Sequence, residues 1–211
     1  MMIFGAANRR PWFGSRRGVG SSRSGLLRQT CRRISEPEMR LLGITFPESM
    51  PVLTQSRICP ACPRDDVAAG GHQAMHGRLF WMLRSFRTCP RHRLAIRPLP
   101  QAAEGRVYQD VIADIRPLRE QILEGAFDTP VAVDPVLERH LLDRLAGRTT
   151  TAWLDNLAPH VAARFSEVLG TALHLGWDTK AEDLDDDRLR EAVPHGFAAL
   201  AAGPEAITAA S

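Results

Sequence analysis

Apolar residues in the second half of the chain recur at helical spacing. Tyr108, Val111, Ile112, Ile115, Leu118 and Ile122 fall on one face of a helix, and Pro117 marks a kink or a restart within it. Val136, Leu137, His140, Leu141 and Leu145 make the face of a second helix, opened by Asp134-Pro135 and closed near Gly147. After a short segment around Trp153-Leu154, Pro159 opens a third helix that ends near Gly176. Its Val161, Ala162, Phe165, Val168, Leu169 and Leu173 are expected to face the core. A final helix runs through Leu189, Val193, Phe197 and Leu200 toward Gly203-Pro204, with a break expected at Pro194, and the acidic run from Asp183 to Asp187 reads as its solvated start.

The first half is less periodic. Met39, Leu41, Leu42 and Ile44 suggest a short helix over residues 37–44, capped by Ser35 and ending near Gly43. Leu79, Phe80, Trp81, Met82, Leu83 and Phe86 form a dense apolar patch. Packing is the simpler use for it, and base stacking on Phe80 or Trp81 is the functional alternative. Residues 94–104, with Pro98 and Pro100, read as a linker. The expected fold is mainly α with, around Cys59-x-x-Cys62 and Cys89-x-x-His92, a small zinc-finger module and, after it, a helical, helix-turn-helix-like C-terminal domain. Its parts would be a disordered basic segment over residues 1–35, a zinc-finger domain over 36–100 and a helical domain over 101–211.

Charge divides the chain in the same place. The net charge of +3 conceals 17 arginines against 5 acids in residues 1–100, and 10 basic residues against 19 acids in residues 101–211. The basic half suits nucleic-acid phosphates or an acidic protein surface, whereas the acidic half would repel a phosphate backbone. Lys180 is the only lysine, a bias that reads as that of a GC-rich genome rather than as selected phosphate recognition. No run of 18 or more apolar residues occurs, so a membrane span is not expected. The Arg-Arg pairs at 9–10 and 16–17 lack a following apolar segment, which argues against export and for a cytoplasmic protein.

The candidate chemistry lies in two short clusters. Cys59-Pro60-Ala61-Cys62 is followed, after 26 residues, by Cys89-Pro90-Arg91-His92. Two residues between ligands let the backbone turn so that both side chains face one cation. Two such turns supply Cys59, Cys62, Cys89 and His92 as the four ligands of one structural Zn2+. Hard oxygen donors of the kind calcium or magnesium needs are not concentrated here. The only other cysteine is Cys31, too few for a disulfide framework, and a thioredoxin-like reading of Cys59 and Cys62 leaves the second cluster unexplained. His72 and His76, at i and i+4, are the alternative ligands if their stretch is helical; otherwise they sit in a solvated loop. No Gly-rich phosphate loop, Gly-x-Ser-x-Gly elbow or His-Glu-x-x-His helix is present, so the chain reads as a non-enzyme.

The string Arg57-Ile58-Cys59-Pro60-Ala61-Cys62, the aromatic stretch with Trp81, and Thr88-Cys89-Pro90-Arg91-His92 continued by residues 94–99 resemble the zinc-finger region of TniQ-type transposition proteins. Trp153-Leu154-Asp155, Leu169-Gly170, Gly196-Phe197 and Ala202-Gly203-Pro204-Glu205-Ala206 are similar in order to that family's C-terminal part, so the resemblance covers about residues 40–207. Residues 1–35 lack the "SWxxRLA"-like helix with which members open, and the expectation is a member shortened at its N-terminus.

The resemblance implies an accessory factor of DNA transposition, a zinc-stabilised adaptor that helps choose the target and recruits the transposon's AAA+ ATPase without cutting DNA. Its partners would be DNA, that ATPase and, as in some relatives, a targeting complex. Arg57, Arg84, Arg87, Arg91 and Arg93 are the candidate phosphate or partner contacts. Hydrophobic faces on several helices permit a homodimer without requiring one. The competing readings are a zinc-finger transcription regulator, for which residues 159–175 offer only Arg164 to a DNA groove, and a family remnant that has lost function.

Overall fold

The computed structural model describes residues 31–41, 43–100, 110–148 and 152–209. It opens with a three-stranded antiparallel sheet: β1 (Arg32–Ser35), β2 (Glu38–Leu41) and β3 (Ile44–Pro47), in that spatial order. This corrects two expectations. The segment 37–44 is a hairpin instead of a helix, because Met39 and Leu41 alternate with exposed Glu38 and Arg40, and Gly43, at φ +85°, turns the chain back between β2 and β3. Met39 lies opposite Phe46 in that ladder. Residues 32–35, assigned to the disordered segment, pair with β2; residues 1–30 lie outside the described residues.

Two short strands, β4 (Arg57–Ile58) and β5 (Arg97–Pro98), pair antiparallel and bring the ends of the cysteine-rich region together. The helix α1 (Ala61–Gly70) and two single 3-10 turns, His72–Ala74 and Leu79–Met82, lie between them. The linker expected at 94–104 is also revised over residues 94–100; residues 101–104 lie outside the described residues. Leu94, Ala95, Ile96 and Leu99 are buried, and Leu99 N–H donates to the Ser56 carbonyl at 2.8 Å. Pro98, the first of the two prolines that suggested a linker, ends the edge strand β5, where a missing N–H is tolerated, and Pro100 follows it outside the strand.

The remainder is helical, as the periodicity predicts. α2 (Val111–Ile115) is capped by Asp110, whose side chain accepts from Ala113 N–H, and Pro117 sits in the 3-10 turn that joins it to α3 (Arg119–Glu124). Tyr108 lies outside the described residues. Next come α4 (Val136–Leu145), the short α5 (Ala152–Asp155), α6 (Pro159–Leu175), α7 (Asp186–Ala202) and α8 (Pro204–Ala209). Asp134 does not cap α4; it holds Arg139 through two hydrogen bonds. Pro194 does not break α7, which runs unbroken through it.

α6 and α7 form an antiparallel hairpin whose backbones nearly touch. A Cβ on Gly170 would lie 2.3 Å from the Ala192 carbonyl oxygen, and one on Gly196 would lie 2.2 Å from that of Ser166. Only glycine permits this approach. The connection between them, residues 176–185, contains its own 3-10 turn (Ala181–Asp183) and is longer than the tight turn of a helix-turn-helix.

One buried cluster unites the parts. Leu41 and Phe46 of the sheet, Ile58, Trp81, Leu83 and Phe86 of the cysteine-rich region, Ile115, Ile122, Leu137 and Leu141 of the middle helices, and Ala163, Leu189 and Val193 of the hairpin all belong to it. Trp81 and Phe86 are thus packed inside, with Phe80 against both rings. α6 departs from its expected orientation: Ala162, Ser166, Leu169 and Gly170 are buried, whereas Phe165, Val168 and Leu173 are exposed.

Candidate metal centre

Strand β4 delivers Cys59 to the end of α1, and Cys62 stands in that helix's first turn, where its N–H donates to the Cys59 carbonyl at 3.1 Å. This is the first knuckle. The second is a loop closed by the bridge between Thr88 and Ala95, with Cys89 N–H donating to the Leu94 carbonyl and Arg93 N–H to the Cys89 carbonyl, both at 2.8 Å. Arg93 turns the loop with φ at 54°, a left-handed conformation uncommon for a residue with a Cβ. The loop is anchored from outside by Val131 N–H to the Arg93 carbonyl, Ala95 N–H to the Thr129 carbonyl and the Arg93 guanidinium to the Ala132 carbonyl at 2.6 Å.

The two knuckles bring Cys59, Cys62, Cys89 and His92 together. His92 Nδ1 lies 3.4 Å from Cys59 Sγ and 3.5 Å from each of Cys62 Sγ and Cys89 Sγ, and the Cys62 and Cys89 sulfurs are 3.9 Å apart. The four donor atoms lie within 4.8 Å of one another, the one Cys/His cluster of this kind among the described residues. Zinc bonds of about 2.3 Å to sulfur and 2.0–2.1 Å to nitrogen, placed tetrahedrally, require S···S and S···N edges of about 3.8 and 3.6 Å. The arrangement fits that requirement, and the set could hold a metal ion with no position left for solvent.

Electrostatics agree with a site built for a cation. The three sulfurs crowd one another: contacts with Cys59 and Cys89 hold the Cys62 thiol above its ordinary range, while hydrogen bonds from Cys59 and Cys62 bring Cys89 below it. Burial opposes charging of His92, yet its hydrogen bonds to Cys59 and Cys89 raise it to about 10. The other ring nitrogen, Nε2, meets Asp65 Oδ2 at 2.8 Å, and Asp65 in turn pairs with Arg91 at 2.7 Å. A carboxylate on the far side of a ligating imidazole fixes its tautomer and orientation. No motif in the sequence ties Asp65, half of the acidic pair Asp65-Asp66, to the cluster; with α1 in view, its place one turn from Cys62 explains it. His72 and His76 are exposed and lie outside the cluster, His76 Nδ1 facing Ala74's carbonyl at 2.9 Å.

The five candidate arginines divide into two groups. Arg57 is buried and donates to the Leu83 and Phe86 carbonyls at 3.1 and 3.0 Å and to Asp186 at 3.4 Å; burial brings it down to about 10 against the pull of Asp186. Arg87 is likewise buried, 3.0 Å from Asp186 and 2.8 Å from Glu167, and its N–H and that of Thr88 donate to Glu138 Oε1. Both join the cysteine-rich region to the helices. Arg84, Arg91 and Arg93 remain exposed.

The TniQ family model matches residues 9–96. The match contains all four cluster residues, begins within the stretch expected to be disordered, and leaves the helices from α2 onward outside it. No curated protein and no solved structure matches the chain. No helix of the described residues is long and apolar enough to cross a membrane.

Proposed function

We propose that this chain is a transposition accessory protein, a non-enzymatic adaptor stabilised by one structural zinc held by Cys59, Cys62, Cys89 and His92. The carrying observation is the coincidence of the TniQ match with a closed Cys3His tetrahedron whose imidazole is buttressed by Asp65. Zinc in such a site supplies folding free energy, on the order of 10 kcal/mol in small modules. The protein's own residues do the rest: the second knuckle presents Arg91 and Arg93 at the surface, and Arg84 lies exposed nearby in sequence.

These three arginines are the proposed contacts to DNA or to a targeting complex in the cytoplasm, and the acidic helical half is the proposed side for the transposition ATPase. Arg57 and Arg87 serve the core. A groove-reading regulator gains no support from α6, which offers Arg164 as its one arginine and sets Glu167 and Glu182 beside it at 3.3 and 2.8 Å.

The test combines metal content with DNA binding. One zinc per purified chain is expected, lost in Cys89→Ser together with the protection of residues 57–99 from hydrogen exchange. Duplex DNA should bind in a salt-dependent manner, with the slope of log K against log[salt] falling by about one for each of Arg84→Ala and Arg91→Ala. A chain without zinc, or a mutant that keeps both zinc and protection, rejects the structural site. Binding that is absent or indifferent to these arginines rejects the DNA contact.

A further inference from the structure

We propose that the outer face of α6 is a docking site for a basic amphipathic helix of a partner protein. α6 is apolar on two opposite sides. Ala162, Ser166 and Gly170 pack on α7, while Val161, Phe165, Val168, Ala172 and Leu175 run along the other side at alternating steps of four and three residues. That alternation is the seam of a helix that meets a second helix, and a helix apolar all round is ordinarily covered all round. The seam is open in its middle, where Phe165 is 52% and Val168 49% exposed, half-covered at Val161 and Leu175 and closed at Ala172; Trp177, just past the helix end, is 63% exposed. Exposed Phe and Trp side chains, here Phe165 in the first half of α6 and Trp177 past its C-terminal end, are the composition of a protein-binding surface.

Charge identifies the occupant. The connection at 176–185 begins with Trp177 just past the helix end and returns to α6 where Glu182 meets Arg164, the neighbour of Phe165, at 2.8 Å. It carries Asp178, Glu182, Asp183 and Asp185 against Lys180 alone. Asp178 and Asp183 are exposed, Arg164 is already neutralised by Glu167 and Glu182, and Asp185 caps α7. An apolar seam with an acidic border selects a helix whose apolar stripe is flanked by Arg or Lys, and it repels anionic lipid and nucleic acid. A second copy in parallel register would set two acidic borders against each other.

The probe is a labelled synthetic helix with leucine at heptad spacing and arginine flanks, compared with the same peptide carrying glutamate flanks, titrated by anisotropy against the zinc-loaded full chain. The arginine peptide should bind and the glutamate peptide should not, and binding should weaken about tenfold or more in Phe165→Ser, in Trp177→Ala and in the pair Asp178→Lys with Asp183→Lys. Unchanged zinc content and thermal melting show that each variant is folded, and Trp177→Ala, in a loop, answers if Phe165→Ser is not. Equal binding of both peptides, or of all variants, overturns the proposal. So do concentration-dependent dimers lost in Phe165→Ser, which would make the occupant a second copy, and Phe165-dependent binding to anionic vesicles. Duplex-DNA binding by the charge-neutral variants Phe165→Ser and Trp177→Ala stays as in wild type, which separates this surface from the arginine contacts.

Discussion

Asp65 and His92 are joined at 2.8 Å through the imidazole nitrogen that faces away from the cysteines. The contact links helix α1 to the second knuckle, so that helix supplies a sulfur from its first turn and, one turn after Cys62, aims the nitrogen donor. Asp65→Ala removes the aim without touching a ligand. The expected result is a loss of zinc affinity of about 10- to 100-fold, read by competition with a chromophoric chelator. Affinity equal to wild type would show that the knuckle backbone alone orients the ring.

Gly196 faces the Ser166 carbonyl and Gly170 across the α6–α7 contact. On an isolated helix Gly→Ala would stabilise by about 1 kcal/mol through helix propensity. In this hairpin the new Cβ meets backbone at 2.2 Å, which a rotamer change cannot relieve, and Gly196→Ala is expected to destabilise by about 3 kcal/mol in urea unfolding. A variant as stable as wild type would mean that the helices stand further apart.

His140 provides a pH dependence with a defined sign. It is buried on α4 beside the Phe197 ring, 5.4 Å between centroids. Burial and then Arg144 hold its pKa below the ordinary value, against the weaker opposing influence of Asp155 and Asp143. The unfolded chain therefore takes up the proton first. Stability from the neutral ring is fully present above about pH 6.5 and is lost as pH falls from there through the lower folded value. His140→Gln should lose less stability than wild type between pH 7.5 and 5.5. The metal ligands titrate alike in both proteins, so the difference isolates His140; identical profiles would refute the assignment.

The mainly α architecture was legible because the apolar spacing of α2 to α4 and of α7 is long and regular. The four metal-site candidates could be named because the residues in each knuckle are only three apart. What escaped was set by distant partners. The strands around Met39 and Leu41 are too short for alternation to outweigh a helical reading, and α1 offers little apolar periodicity around Arg64, Asp65 and Asp66. Arg57 and Arg87 look like surface cations until Asp186 arrives from 129 and 99 residues away. On α6 the sequence reading directs Phe165, Val168 and Leu173 toward the core, yet they are exposed, because apolar spacing is silent on which of two opposite stripes finds a neighbour.

The threading of Arg87 between Glu138, Glu167 and Asp186 bears on how this protein can be dissected. A cut at residue 100 looks natural from composition and keeps the whole stretch that matches TniQ. It would strand a guanidinium and two backbone donors in a freshly opened wall and strip Trp81, Leu83 and Phe86 of the helices that roof them. The finger is therefore not a portable cassette. Grafts, fusions and truncations should carry the chain through the end of α7, and a fragment ending at residue 100 is expected to aggregate even when saturated with zinc.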